Sequence, residues 1–198
     1  MHGPALWIQA RRGKLKPSAR AFGRGFSNKF MAVLPDYLRR GMKLIVVGCN
    51  PGDRSARVGH HYAGRGNEFW PLMYDAGILP ELLEAKDDKR VIEFGVGLTD
   101  LVKRATRHQD EIGRQAFAEG RVLLGQKLEE FSPRVVAFNG RMVYEKFAQS
   151  KCKLGLQKKK LYGAHVFVLP STGAPGGISQ AVKRRYFRQL GALLQTLD

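Results

Sequence analysis

The sequence predicts an α/β domain: a three-layer sandwich in which a short, mainly parallel sheet lies between helices. Three observations carry this expectation. Residues 44–47, 135–138 and 166–169 are continuous apolar runs, each ending in a loop rich in Gly, Asn or Pro, as strands buried on both faces do. Segments of helical period separate them. A chain of 198 residues, 43% hydrophobic and 26% charged, suits one core of ordinary size.

Taken in order, Leu44, Ile45, Val46 and Val47 form the first strand, which feeds a loop at Gly48. Residues 67–77 read as a helix, with Phe69, Leu72, Met73 and Ala76 on one face and Gly77 as its stop. Residues 93–98 are short and Gly-broken, a loop or short strand ahead of Thr99 and Asp100. A longer helix is expected over 112–131, with Ala116, Leu123, Leu124 and Leu128 among its apolar positions. The second strand, 135–138, ends at Asn139 and Gly140, and a helix follows over 142–147. Residues 151–160 form a basic connector, and the third strand, 166–169, opens into the loop 170–179. The last helix covers 180–197, with Lys183, Arg184, Arg185 and Arg188 expected on a basic outer face.

Charge narrows the partner class. Thirty-four Lys and Arg against 17 Asp and Glu give a net charge of +17, a field that attracts polyanions. Residues 1–30 hold seven basic residues and no acidic one, which leaves +10 on the rest. They lack a sustained period and are expected to be a disordered basic arm, with 31–198 as the single domain. A transit peptide or a spurious extension ahead of Met31 would read the same way. No apolar run is long enough for a bilayer, and no apolar stretch of a secretory signal follows the charges. Cys49 and Cys152 cannot make a disulfide framework, and no Cys/His cluster has zinc spacing. The expectation is a soluble, intracellular, nucleic-acid-associated monomer with no metal, no cofactor and no membrane contact.

In an open parallel sheet, ligands bind beyond the carboxyl ends of the strands. Two loops stand there: 48–52 (Gly-Cys-Asn-Pro-Gly) and 170–177 (Pro-Ser-Thr-Gly-Ala-Pro-Gly-Gly). Glycine lets backbone approach a ligand closely, although ordinary strand-to-helix turns have the same composition. Neither GxGxxG nor a Walker loop is present, which argues against a nucleotide cofactor. The words at these positions resemble a known family. Gly48-x-Asn50-Pro51-Gly52, Tyr62, Asn67-x-Phe69-Trp70, Gly97-Leu98-Thr99-x-Leu101-Val102-x-Arg104-x-Thr106, Tyr144 and Val168-Leu169-Pro170-Ser171 follow one another as in the mismatch-specific uracil-DNA glycosylases. These form the thymine-DNA-glycosylase-like branch of the uracil-DNA glycosylase superfamily. The resemblance covers roughly residues 33–190.

It implies a monofunctional glycosylase that takes a nucleotide out of the duplex and hydrolyses its N-glycosidic bond in a closed pocket. The substrate would be uracil, best in G·U mispairs, with thymine or damaged pyrimidines as further candidates. The partner is double-stranded DNA carrying a mispaired or damaged base. By resemblance, Asn50 positions the attacking water, Tyr62 stacks on the flipped base, and backbone near Cys49 contacts the base. Asn67 braces the pocket or caps the following helix. Ser171 can donate to a phosphate, while Gly173, Ala174 and Pro175 form the tip that enters the DNA, Pro175 as a small wedge. Lys183, Arg184, Arg185 and Arg188, with Lys158, Lys159 and Lys160, grip the backbone. No lysine is placed for Schiff-base chemistry.

Asp100 departs from the pattern, in which Lys or Asn follows the Thr. A carboxylate there can polarise water or offset oxocarbenium charge, as in glycoside hydrolysis; equally, it can cap a helix. His60 and His61 are expected to be exposed loop residues outside the site. Two other functions compete: a non-catalytic DNA-binding relative of the same fold, and an enzyme acting on a phosphorylated small molecule held by loop 48–52.

Overall fold

The computed structural model describes residues 33–106, 108–173 and 177–197, all within the unit Met31–Asp198. The expected arm 1–30 and the tip residues Ala174 and Pro175 lie outside the described residues. The sheet holds five strands in the order β2-β1-β3-β5-β4: β1 (Leu44–Gly48), β2 (Val96–Asp100), β3 (Val135–Asn139), β4 (Gly155–Leu156) and β5 (His165–Leu169). The first four in that order run parallel, and β4 pairs antiparallel with β5. Helices α1 (Asp53–Val58), α2 (Phe69–Asp75), α3 (Arg114–Phe131), α4 (Arg141–Ala148) and α5 (Gln180–Leu197) complete the domain. The expected architecture is the one observed: helices flank a central, mostly parallel sheet.

Alternation along β1 explains the two cores. Leu44 and Val46 face a cluster with Phe69, Leu72 and Met73 of α2 and Phe187, Leu190 and Leu194 of α5. Ile45 and Val47 face the other side, with Phe117, Leu124 and Leu128 of α3 and Val143 of α4. All five β1 residues are buried, as the unbroken apolar run requires. Leu123 points to solvent instead, and Phe117 takes an inward place on α3.

Four elements among the described residues were not legible in the sequence: α1, the 3₁₀ segments Ala85–Phe94 and Gln109–Glu111, and the two-residue β4 inside the expected basic connector. Each is short, so tertiary contact rather than local propensity decides them. Residues 93–98 divide between the end of the 3₁₀ segment and β2, whose last two residues are Thr99 and Asp100.

The sheet edge at β2 is covered rather than open. Tyr37 exchanges backbone hydrogen bonds with Leu98, donating at 2.9 Å and accepting at 3.0 Å. The neighbouring Asp36 accepts from Thr99 Oγ1 at 2.5 Å and pairs with Lys103 (2.5 Å) and Lys127 (2.6 Å). Burial would raise the Asp36 carboxyl, but these hydrogen bonds outweigh it and hold the group below the usual carboxylate range.

Gly120 of α3 packs directly on the carbonyl of Leu101, the residue after β2; a Cβ there would overlap that oxygen. Lys183 also departs from expectation. It is 7% exposed and forms an ion pair with Glu68, tying α5 to the residue before α2, so it is not part of the outer basic face. Its charge is already spent inside the fold, whereas Arg184, Arg185 and Arg188 are exposed.

Gly120→Ala is expected to lower stability by roughly 1–3 kcal/mol, as overpacking against fixed backbone does, measured by urea unfolding. Lys183→Met is expected to cost roughly 1–3 kcal/mol by the same measurement, because the partly buried Glu68 loses this ion pair.

Candidate active site

Parallel register sets the site. Gly48 of β1 lies opposite Asp100 of β2, so both strands end at the same height. Their pairing continues past the strand ends: Leu101 N–H donates to Gly48 O at 2.9 Å and Val102 N–H to Cys49 O at 2.8 Å. A cavity of about 330 Å³ opens beyond this end. Cys49, Asn50, Tyr62, Asn67, Asp100, Ser171 and Gly173 all line it, so one pocket gathers the residues expected for catalysis and base contact.

Asp100 is 6% exposed, and its Oδ2 is buried without a hydrogen-bond partner. It ends a strand and caps no helix. The carboxylate fits only because residue 48 has no side chain: a Cβ there would overlap Asp100 Oδ1 and come within 3.4 Å of Tyr62 Oη. Burial pushes the Asp100 carboxyl above its ordinary value, opposed by the nearby charges of His61, Lys103 and Lys127.

Asn50 holds a loop together. Its Nδ2 lies 2.8 Å from Thr106 Oγ1, 3.1 Å from Arg104 O and 3.3 Å from Pro51 O, more acceptors than its two hydrogens can serve. The amide nitrogen is therefore committed to the 104–106 loop, and Oδ1 is the atom left to orient a water. Parallel bridging of Gly52 with Thr106 fixes the same loop.

Tyr62 sits in the left-handed region (φ 56°) and stacks on Phe69, ring centroids 3.7 Å apart and 17° from parallel. One ring face is thus occupied by Phe69. Its Oη is buried and unpartnered, and burial together with Asp100 pushes the phenol well above its ordinary value. Asn67 Oδ1 accepts the Phe69 N–H at 3.0 Å and so braces the turn ahead of α2, whose N-cap position is Glu68. Cys49 is 5% exposed, and burial followed by the Asp100 charge pushes its thiol to about 12. It is an inert wall at neutral pH.

Several site residues escaped the sequence. His61 is 2% exposed, not a solvent-facing loop residue, and its Nδ1 lies 3.8 Å from Asp100 Oδ2. Asp88, 1% exposed in the 3₁₀ segment, fixes that loop: it accepts from His61 N–H at 2.8 Å and Tyr37 Oη at 3.1 Å and pairs with His60 Nδ1 at 3.2 Å. Asn139 and Thr172 lock β3 to the loop after β5 through reciprocal bonds of 2.8 and 3.2 Å. The polar Asn139 closing an apolar strand was the one visible signal; nothing local marks His61 or Asp88 as buried.

The expected DNA-facing residues are elsewhere. Arg184 and Arg185 lie exposed on α5, Arg185 stacked on Tyr186 at 4.9 Å and Arg184 loosely paired with Asp75 at 3.9 Å. Lys158, Lys159 and Lys160 are exposed in the connector. Among the described residues, no helix is long and apolar enough to cross a membrane, and no group of three or more His, Cys, Asp or Glu could hold a metal ion.

The fold is similar to a solution NMR structure of a proposed uracil DNA glycosylase from Methanosarcina acetivorans. The TM-score is 0.57 at 23% identity, over 83% of this chain and 98% of that one, a likeness of fold. Residues 35–193 match the family model of the uracil DNA glycosylase superfamily, a span that contains the whole sheet and every lining residue except Leu34. The chain belongs to that superfamily, whose members are DNA glycosylases, hydrolases that act on DNA.

Proposed function

We propose that this protein is a monofunctional, mismatch-specific DNA glycosylase that flips uracil out of duplex DNA, preferring G·U mispairs, and leaves an abasic site. The observation that carries the proposal is the convergence of Asp100, Asn50 and Tyr62 on one cavity at the carboxyl end of the sheet. Duplex DNA cannot enter a space of that size; a single extruded base can.

The chemistry follows from what each group has free. The C1′–N1 bond breaks with its electron pair leaving on the uracil, and positive charge develops on the sugar. A water held by Asn50 Oδ1 attacks C1′ and passes one proton to the Asp100 carboxylate. The buried, unpartnered Oδ2 is suited to both tasks: its charge offsets the oxocarbenium, and its raised pKa makes it a better base than an exposed carboxylate. The uracil anion then takes a proton from solvent. Tyr62 offers the base the ring face that Phe69 does not cover. Ser171 and Gly173 approach the DNA. Arg184 and Arg185 bind phosphates, adding affinity without sequence preference.

Single-turnover release of uracil from a G·U duplex tests the reading. Asp100→Asn is expected to lower the rate by about 100-fold or more at saturating enzyme, and Asn50→Ala to lower it comparably. Wild-type protein that binds the duplex yet releases no base would leave a DNA-binding relative instead. Arg185→Ala is expected to weaken binding and to reduce the slope of log affinity against log salt by about 1.

Asp100→Asn is also expected to raise stability at neutral pH. A carboxyl whose folded pKa is raised binds its proton more tightly in the folded state, so it disfavours folding once pH exceeds the unfolded value. The gain should shrink as pH falls below that value, as read by urea unfolding at pH 7.5 and at acid pH.

A further inference from the structure

His61 carries an inference that the motif did not. Its Nε2 lies 2.8 Å from the backbone carbonyl of Pro35, an acceptor only, so Nε2 carries a hydrogen. Nδ1 then faces Asp100 Oδ2 at 3.8 Å across the floor of the cavity. Two bare lone pairs facing each other in a buried place would repel. We propose that His61 is a positioning residue for Asp100: the pair's proton resides on Nδ1, so that the carboxylate stands ionised beside an imidazolium when water attacks. This rests on the assignment of Asp100 as the proton acceptor.

The separation suits the role. At 3.8 Å the contact is an ion pair and not a hydrogen bond, so Oδ2 keeps its lone pairs for a proton from water. The ring itself is held on several sides. The Asp88 carboxylate takes the His61 backbone N–H at 2.8 Å, and Tyr37 packs edge-on at 5.5 Å between ring centroids. The other titratable groups around Asp100 are Cys49 from the end of β1, Tyr62 from the pocket loop, Lys103 after β2, Asp36 from the covering segment and Lys127 from α3. Lys103 and Lys127 are both engaged by Asp36, and among the described residues His61 is the basic side chain within 4 Å of Asp100 Oδ2. The arrangement aligns Asp100, His61 and the Pro35 carbonyl, and the last contact fixes a hydrogen on Nε2 and the orientation of the ring.

The test is a pH profile of single-turnover uracil release by wild type, His61→Gln, Asp100→Asn and the double variant, all full chain, on one G·U duplex. Glutamine keeps a polar group of similar reach and cannot take up the proton. His61→Gln is expected to move the acid limb of the profile to higher pH by about one unit or more, the effect of removing an opposite charge from a carboxylate. On that limb the rate falls about tenfold per unit. In the Asp100→Asn background the same substitution should change nothing. A uniform loss at every pH, or an equal further loss in the double variant, would overturn the pair and make His61 structural. An Asp100→Asn enzyme as fast as wild type would instead remove the assignment of Asp100. A slow Asp100→Asn beside a His61→Gln with the wild-type profile removes only the pair. Should His61→Gln fail to fold, nitrogen-15 NMR of wild type decides: a ring bearing hydrogen on both nitrogens at neutral pH supports the pair, and a neutral ring overturns it.

Discussion

A carboxylate buried at the end of a parallel strand is the constraint around which this domain is arranged. Asp100 belongs to β2, and β2 pairs with β1 in a register that sets Gly48 opposite it. Any side chain at 48 would fill the space the carboxylate needs. Burying an unpartnered carboxylate is costly, and Lys103 beyond the strand and Lys127 from α3 offset part of that cost. The same lysines clamp Asp36, which covers the β2 edge, so charge balance at the site and closure of the sheet are one network.

Rigidity in the pocket comes from bonds that hold loops to strands. Asn50 spends its amide nitrogen on the 104–106 loop, and Asn139 with Thr172 fastens the loop after β5 to the end of β3. Asp88 takes three groups from the segment running to Tyr62 and from Tyr37. A hydrolytic site that must exclude bulk water while orienting one molecule of it benefits from such preorganisation, because little rearrangement is left for the reaction itself.

Basicity divides into two kinds. Lys183 is part of the core framework, paired with Glu68 between α5 and α2, although its place in a run of basic residues suggested a phosphate contact. Arg184 and Arg185, its immediate neighbours, are exposed. Helical geometry separates them: successive residues turn by about 100°, so a charge run cannot lie on one face.

The sequence alone determined the α/β class, the strand runs at 44–47, 135–138 and 166–169, each within one residue of the observed strand, the helix 180–197, and the loops that end at the pocket. These follow from continuous apolar runs, helical period and Gly-rich strand ends, all of which are local patterns. Motif words also picked out Asn50, Tyr62, Asn67 and Asp100, which do line one cavity. Tertiary structure decided the rest. Whether Asp100 capped a helix or faced a pocket depended on the register of two strands about 50 residues apart in the chain. Burial of His61 depended on Pro35, Tyr37 and Asp88, contributed by a segment before the sheet and a 3₁₀ turn after it. No local pattern encodes such contacts, because burial of a polar side chain is set by the partners that long-range packing brings to it.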